Sequence, residues 1–152
     1  MCTIWYMDYD TTITTTADLD HAWAALAAVT TYPQWTTSMT KVIPLDGDEL
    51  RVGRRYRILQ PGFPPVVWRV TEVVSGSSFQ WEARSPGLRT VASHRLSPEE
   101  GGGTRITLHI AQTGLLARLM AALTATRTRR YLALEAAGLR AAAEAAQAAA
   151  AA

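Results

Sequence analysis

Between Trp5 and Ile13 the chain alternates, with Trp5, Met7, Tyr9, Thr11 and Ile13 set against Tyr6, Asp8, Asp10, Thr12 and Thr14. A period of two marks a strand with one buried face, here predicted over about Thr3 to Thr15 with the first set inward. The pattern then changes. Asp18 stands where an N-cap belongs, Asp20 follows near the positive helix end, and Trp23 and Leu26 mark a buried side, which predicts a short helix from Leu19 to Ala28. Tyr32-Pro33-Gln34-Trp35 reads as a kinked second turn of helix, since proline is tolerated at a helix start. From Ser38 to Thr113 short apolar runs are broken by turns, which predicts an antiparallel meander. Asp46-Gly47-Asp48, Pro61-Gly62-Phe63-Pro64-Pro65, Ser75-Gly76-Ser77-Ser78 and Glu99 to Gly103 are its breaks. The strands between them include Val66 to Val74, Phe79 to Ala83, Leu88 to Leu96 and Thr104 to Gln112.

The last quarter, from Thr113 to about Ala145, is rich in alanine and leucine and free of proline, which predicts one long helix. Leu116, Met120, Leu123, Tyr131, Leu134 and Gly138 fall mostly three or four apart and predict its apolar face, with Arg118, Arg129, Arg140 and Glu144 off it. The alanine-rich end, 146–152, is expected to fray as a tail to a single domain over 1–145. A helix this long needs a broad apolar surface to cover, so the strands should form one curved sheet around it.

Composition narrows the class. At 152 residues and 48% hydrophobic, the chain can hide roughly 70% of its unfolded surface. A net charge of +2 is too small an excess to argue for nucleic acid. Cys2 is the only cysteine and rules out an intrachain disulfide. The N-terminal residues lack a basic region followed by an apolar run, and no stretch approaches a membrane span. A cytoplasmic protein without membrane association is the expectation, as a monomer or homodimer.

The order of elements, together with particular residues, carries a resemblance. Ala17-Asp18-Leu19-Asp20-His21-Ala22-Trp23, Tyr32-Pro33-Gln34-Trp35, Val52-Gly53, Trp68-Arg69-Val70-Thr71-Glu72 and Phe79-Gln80-Trp81 occur in sequence. His94-Arg95-Leu96, then Gly102-Gly103-Thr104-Arg105-Ile106-Thr107, and Gly114-Leu115-Leu116 complete the series. In this the chain resembles the SRPBCC (START/Bet v 1-like) superfamily, and within it the polyketide cyclase/dehydrase-like proteins. Ala22 replaces the valine usual before Trp23. The resemblance implies an α+β helix-grip fold, with a curved antiparallel sheet of six to seven strands around the long C-terminal helix and two short helices after the first strand. It implies an internal cavity for a hydrophobic small molecule and no cofactor. Since the scaffold hosts cyclases, dehydratases, carriers and sensors alike, it does not decide among them.

Candidate chemistry sits where polar side chains fall on the apolar register. His94 shares a strand face with Leu88, Thr90, Ala92 and Leu96. It is either a proton shuttle, as cyclisation or dehydration of a β-carbonyl chain requires, or a core histidine with a backbone partner. Glu72 lies on the register of Trp68 and Val70 and is either a base near His94 or a solvated carboxylate. Tyr56 is a candidate donor to an enolate oxygen. Arg69 should point outward, and a bulge would bring it in as a carbonyl-polarising group. These four are the candidate catalytic residues. The candidate ligand-binding set is Tyr9, Tyr32, Trp35, Trp68, Trp81, Leu108 and Gln112, with Leu116, Met120 and Leu123 on the helix and Phe63 at the entrance.

Other chemistries are excluded. His21, His94 and His109 share no metal-ligand spacing, and His109 should face the surface. Ser93 and His94 point to opposite sides of one strand, so they are no nucleophile–base pair. Gly101-Gly102-Gly103 precedes a strand rather than a helix and is a hairpin, not a phosphate cradle. Arg127-Thr128-Arg129-Arg130 is either a solvated helix face or a landing site for an acidic partner such as an acyl carrier protein.

Overall fold

A computed structural model describes residues 4–152, so Cys2 and the expected strand start at Thr3 lie outside the described residues. The elements in chain order are strand β1 (Trp5–Thr15), helix α1 (Leu19–Ala27), a 3-10 turn (Val29–Gln34), strands β2 (Lys41–Pro44), β3 (Arg55–Leu59), β4 (Val66–Val74), β5 (Ser78–Ser85), β6 (Leu88–Pro98) and β7 (Thr104–Gly114), and helix α2 (Ala117–Ala151). The seven strands form one antiparallel sheet in the order β1-β7-β6-β5-β4-β3-β2. The first strand therefore pairs with the last, Tyr9 opposite Ile110 and Ile13 opposite Ile106. α1 and the 3-10 turn carry the chain to the far edge, from which β2 to β7 return as the expected meander. The sheet curves around α2, the helix-grip arrangement.

Local chemistry accounts for the elements. Asp18 caps α1, its carboxylate accepting from the His21 backbone N–H at 2.8 Å. Pro33 lies inside the 3-10 turn, where short i→i+3 bonding tolerates it better than an α-helix would. The odd-numbered set of β1 faces inward as expected, with Tyr9 and Thr15 buried. Trp5, at the strand end, is 39% exposed and carries the Arg118 guanidinium 4.8 Å above its ring.

α2 differs from expectation in two respects. Its buried face is Ala117, Ala121, Thr128, Leu132, Ala136, Gly138, Leu139 and Ala143, a stripe rotated by about one position from the leucine-led one. Alanine lets the helix approach the sheet closely, and Leu123 is left 69% exposed. The end also stays helical to Ala151 instead of fraying. Alanine is the strongest helix former, and the last turns are tied down. Glu144 accepts from the Thr15 hydroxyl at 3.0 Å, and the Gln147 side-chain oxygen accepts from the Asp18 backbone N–H at 2.6 Å.

Candidate functional site

Between the concave sheet and the N-terminal half of α2 lies a cavity of about 490 Å³. The inward faces of three strands make its wall: Trp81 and Ala83 of β5, Leu88, Thr90, Ala92 and His94 of β6, and Leu108, Ile110 and Gln112 of β7. Trp68 of β4 closes one side, and Leu116, Met120, Thr124, Thr128, Leu132 and Glu135 form the helical side. Period-two alternation is what gathers these side chains, because each strand gives its even or odd set to one face.

The loop between β3 and β4 forms the rim through Phe63, Pro64 and Pro65. It is fastened to α2. Arg127 donates to the Gly62 carbonyl at 2.8 Å and stacks over Phe63 at 5.3 Å. The Tyr131 hydroxyl donates to the Pro61 carbonyl, and its ring meets Phe63 edge-on at 5.9 Å.

Of the candidate ligand-binding residues, Phe63, Trp68, Trp81, Leu108, Gln112, Leu116 and Met120 border the cavity. The others lie elsewhere. Tyr9 is buried in the core with its hydroxyl unpartnered and Arg129 5.1 Å over its ring. Tyr32 packs against Trp35 at 4.6 Å, and its hydroxyl is spent on the Leu26 carbonyl. Leu123 faces away from the sheet.

The four candidate catalytic residues separate in the same way. His94 borders the cavity, and the other three do not. Tyr56 is fully buried, and its phenol donates to the Asp48 carbonyl at 3.1 Å. Glu72 is turned out by a register shift between Val70 and Glu72, the extra residue of a β-bulge. Val73 takes the inner position in its place. Arg69 precedes the bulge, keeps the outward register opposite Glu82 and is exposed. His109 pairs with Asp8 at 3.3 Å, as suits a surface group. The arginine run is split, since Arg127 holds the rim loop, Thr128 is buried against the cavity and Arg129 covers Tyr9.

His94 is held flat against Phe79, rings 4.1 Å apart and 10° from parallel, with Trp81 edge-on at 5.5 Å. Its Nδ1 lies 3.4 Å from the Phe79 carbonyl, so the neutral ring carries its proton there and leaves Nε2 as an acceptor. Burial pushes the imidazole down to about 4, against a weaker upward pull from that carbonyl. His94 is therefore neutral at pH 7 and does not titrate near neutrality.

Sequence reasoning missed Glu135. It lines the cavity from α2, and burial pushes its carboxyl up to about 8 against the opposing Ser38 hydrogen bond. Ser38 Oγ donates to Glu135 Oε1 at a long 3.5 Å and is itself 2.8 Å from the Thr36 hydroxyl, both side chains being buried. A carboxyl titrating near 8 holds its proton at pH 7 and can deliver it, the tuning a general acid needs. The available signal was position. Glu135 lies four residues after Tyr131 and four before Leu139, on the inner face of α2.

Fold and cavity together define a helix-grip protein with an internal apolar chamber. The chain belongs to the polyketide cyclase/dehydrase and lipid transport family, whose model matches residues 7–144. Three solved structures are similar in fold. One is the hypothetical protein jhp0584 from Helicobacter pylori, with a TM-score of 0.73 at 15% identity over 90% of this chain and 86% of that one. Another is norcoclaurine synthase from Thalictrum flavum in complex with dopamine and hydroxybenzaldehyde, at 0.72 and 14% over 90% and 86%. The third is Ara h 8.0201, at 0.62 and 10% over 89% and 99%. No curated protein matches the chain by sequence. Among the described residues no helix is long and apolar enough to cross a membrane.

Proposed function

We propose that the protein binds a hydrophobic small molecule in this cavity and assists cyclisation or dehydration of a polyketide-like or related natural-product intermediate. The observation that carries the reading is a pair of ionisable groups, His94 and Glu135, on opposite walls of a predominantly apolar chamber. Their environments move them in opposite directions, one into a neutral acceptor and the other into a neutral acid. In dehydration of a β-hydroxyketone, His94 Nε2 takes the proton from the carbon beside the carbonyl. That C–H electron pair becomes the C=C bond, the C–O bond breaks, and the Glu135 proton leaves with the oxygen as water. The carboxylate so formed raises the proton affinity of His94, and a proton passing back from imidazolium to carboxylate resets the pair. Most of the rate advantage comes from holding a flexible chain in one reactive shape.

Neither Tyr56, Glu72 nor Arg69 has a part in this scheme. An acidic acyl carrier protein is the proposed supplier of the substrate, docking by the arginines near the cavity mouth. The alternative, a non-catalytic carrier or sensor of a lipophilic ligand, draws on the predominantly apolar lining and on the family's inclusion of lipid transport. The test is dehydration of 4-hydroxy-4-(2-naphthyl)butan-2-one, followed by the near-ultraviolet absorbance of the enone. The enzyme reading expects turnover that Glu135→Gln reduces by at least about 100-fold, the usual weight of one general acid. Binding without turnover by the wild type would establish the carrier.

A further inference from the structure

A carboxyl in the wall of a predominantly apolar cavity has two stable conditions. Either it stays neutral, or it ionises against a counter-charge. Among the described residues no cation is paired with Glu135, whose hydrogen-bonded partner is the Ser38 hydroxyl. That partner is a donor, held in place by Thr36, and a donor favours the ionised carboxylate.

The titratable and charged groups around Glu135 supply no positive charge. Tyr32 donates its phenol to Leu26 and Tyr131 donates to Pro61, so both hydroxyls are spoken for. His94 is uncharged at neutral pH. Arg84, the one arginine on the lining, is 70% exposed at the rim and bridged to Glu82 at 3.2 Å, and His109 is paired with Asp8. The other cation near the mouth, Arg127, is committed to the Gly62 carbonyl and the Phe63 face, which leaves the rings of Trp68 and Trp81, whose faces carry partial negative charge and attract cations. A carboxyl without a counter-ion, a donor set for its ionised form and a wall of aromatic rings make a chamber hostile to anions and receptive to a cation.

We propose that this cavity takes a lipophilic cation, an ammonium on an aromatic or alkyl body, with the charge received by Glu135 and the apolar part lodged against Trp68 and Trp81. The inference rests on the cavity-binding half of the functional reading alone: the guest bears a basic nitrogen and is not an all-carbon chain or a free carboxylic acid, and a Glu135 ionised against it does not serve as the general acid of the dehydration scheme. Binding then expels the Glu135 proton, so one proton is released for each cation bound while the free protein holds Glu135 neutral.

The experiment titrates the protein with three probes of one shape, (2-naphthylmethyl)trimethylammonium, 2-naphthalenemethanol and 2-naphthoate, following tryptophan fluorescence from pH 6 to 9. The permanent cation should bind at least about tenfold more tightly than the alcohol at the upper end, with the carboxylate weakest. Its affinity should climb by up to about tenfold per pH unit below the Glu135 titration, as release of one proton requires, while the alcohol stays level. Glu135→Gln should erase both the preference and the slope. A cation that binds no better than the alcohol, a carboxylate that binds best, or a slope that survives in Glu135→Gln would overturn the inference and leave the cavity reading standing. Failure of all three probes to bind would remove both. The wild-type pH slope needs no variant to fold and can refute the inference alone.

Discussion

Gly138→Ala should lower the unfolding free energy by about 2 kcal/mol, although alanine is the better helix former by about 1 kcal/mol. A β-carbon at this position on α2 would overlap the Trp35 carbonyl oxygen and come within 2.7 Å of Trp35 Cε3. The obstruction is backbone at the end of the 3-10 turn, so no rotamer change relieves it. Trp35 is also packed against Tyr32. Overpacking of a filled core costs about 1–3 kcal/mol, and contact with backbone belongs at the upper end. Subtracting the helix gain leaves about 2 kcal/mol, or a melting temperature lower by about 4–8 °C for a chain of this size. Calorimetry of the variant decides the sign. An unchanged or higher melting temperature would mean that α2 does not cross Trp35 this closely.

Stability should also fall as pH rises from 6.5 to 8, and stay nearly level between about 4.5 and 6.5, where two groups oppose each other. Glu135 titrates near 8 in the folded protein and at an ordinary 4.5 unfolded. Between those values the native state binds the extra proton, so raising the pH favours unfolding. His94 works in the other direction. Its folded value is near 4 and its ordinary value is 6.5, so the unfolded chain binds the extra proton as pH drops through that window. Above pH 6.5 only Glu135 contributes, at roughly 1.4 kcal/mol per unit or about 2 kcal/mol in all as an upper figure. Urea midpoints measured from pH 4 to 8.5 should show this alkaline slope in the wild type and lose it in Glu135→Gln. His94→Gln should instead extend that slope down to about pH 4.5, because nothing then opposes Glu135. An alkaline slope unchanged in Glu135→Gln would place that carboxyl in ordinary solvent.

Much of the fold was legible, and the misses share a cause. The alternation in β1 and β6 gave the correct inward faces, because a strand's period of two leaves only one choice to make. One extra residue undid that logic in β4, where the bulge after Val70 turned Glu72 outward. Nothing in the composition of Val70-Thr71-Glu72 announces it. On α2 the leucines drew the predicted stripe toward Leu123, while close packing was done by Ala117, Ala121, Ala136 and Ala143, which weigh little in any hydropathy pattern. Tyr56 was a plausible cavity donor and Tyr32 a plausible lining residue until their hydroxyls were traced to the Asp48 and Leu26 carbonyls, eight and six residues away across turns that no helix or strand period relates. Glu135 stayed hidden because a lone helical carboxylate ordinarily means solvent.

The central claim is that the space between sheet and helix is a chamber for a guest molecule, and filling it tests that directly. Ala92 is buried in the cavity wall on β6, between Trp81 and Ile110 on the neighbouring strands. Calorimetric titration with 2-naphthalenemethanol should give one-to-one binding to the wild type and none to a folded Ala92→Phe variant, whose ring takes the same volume. Equal affinity in the two proteins would contradict the account.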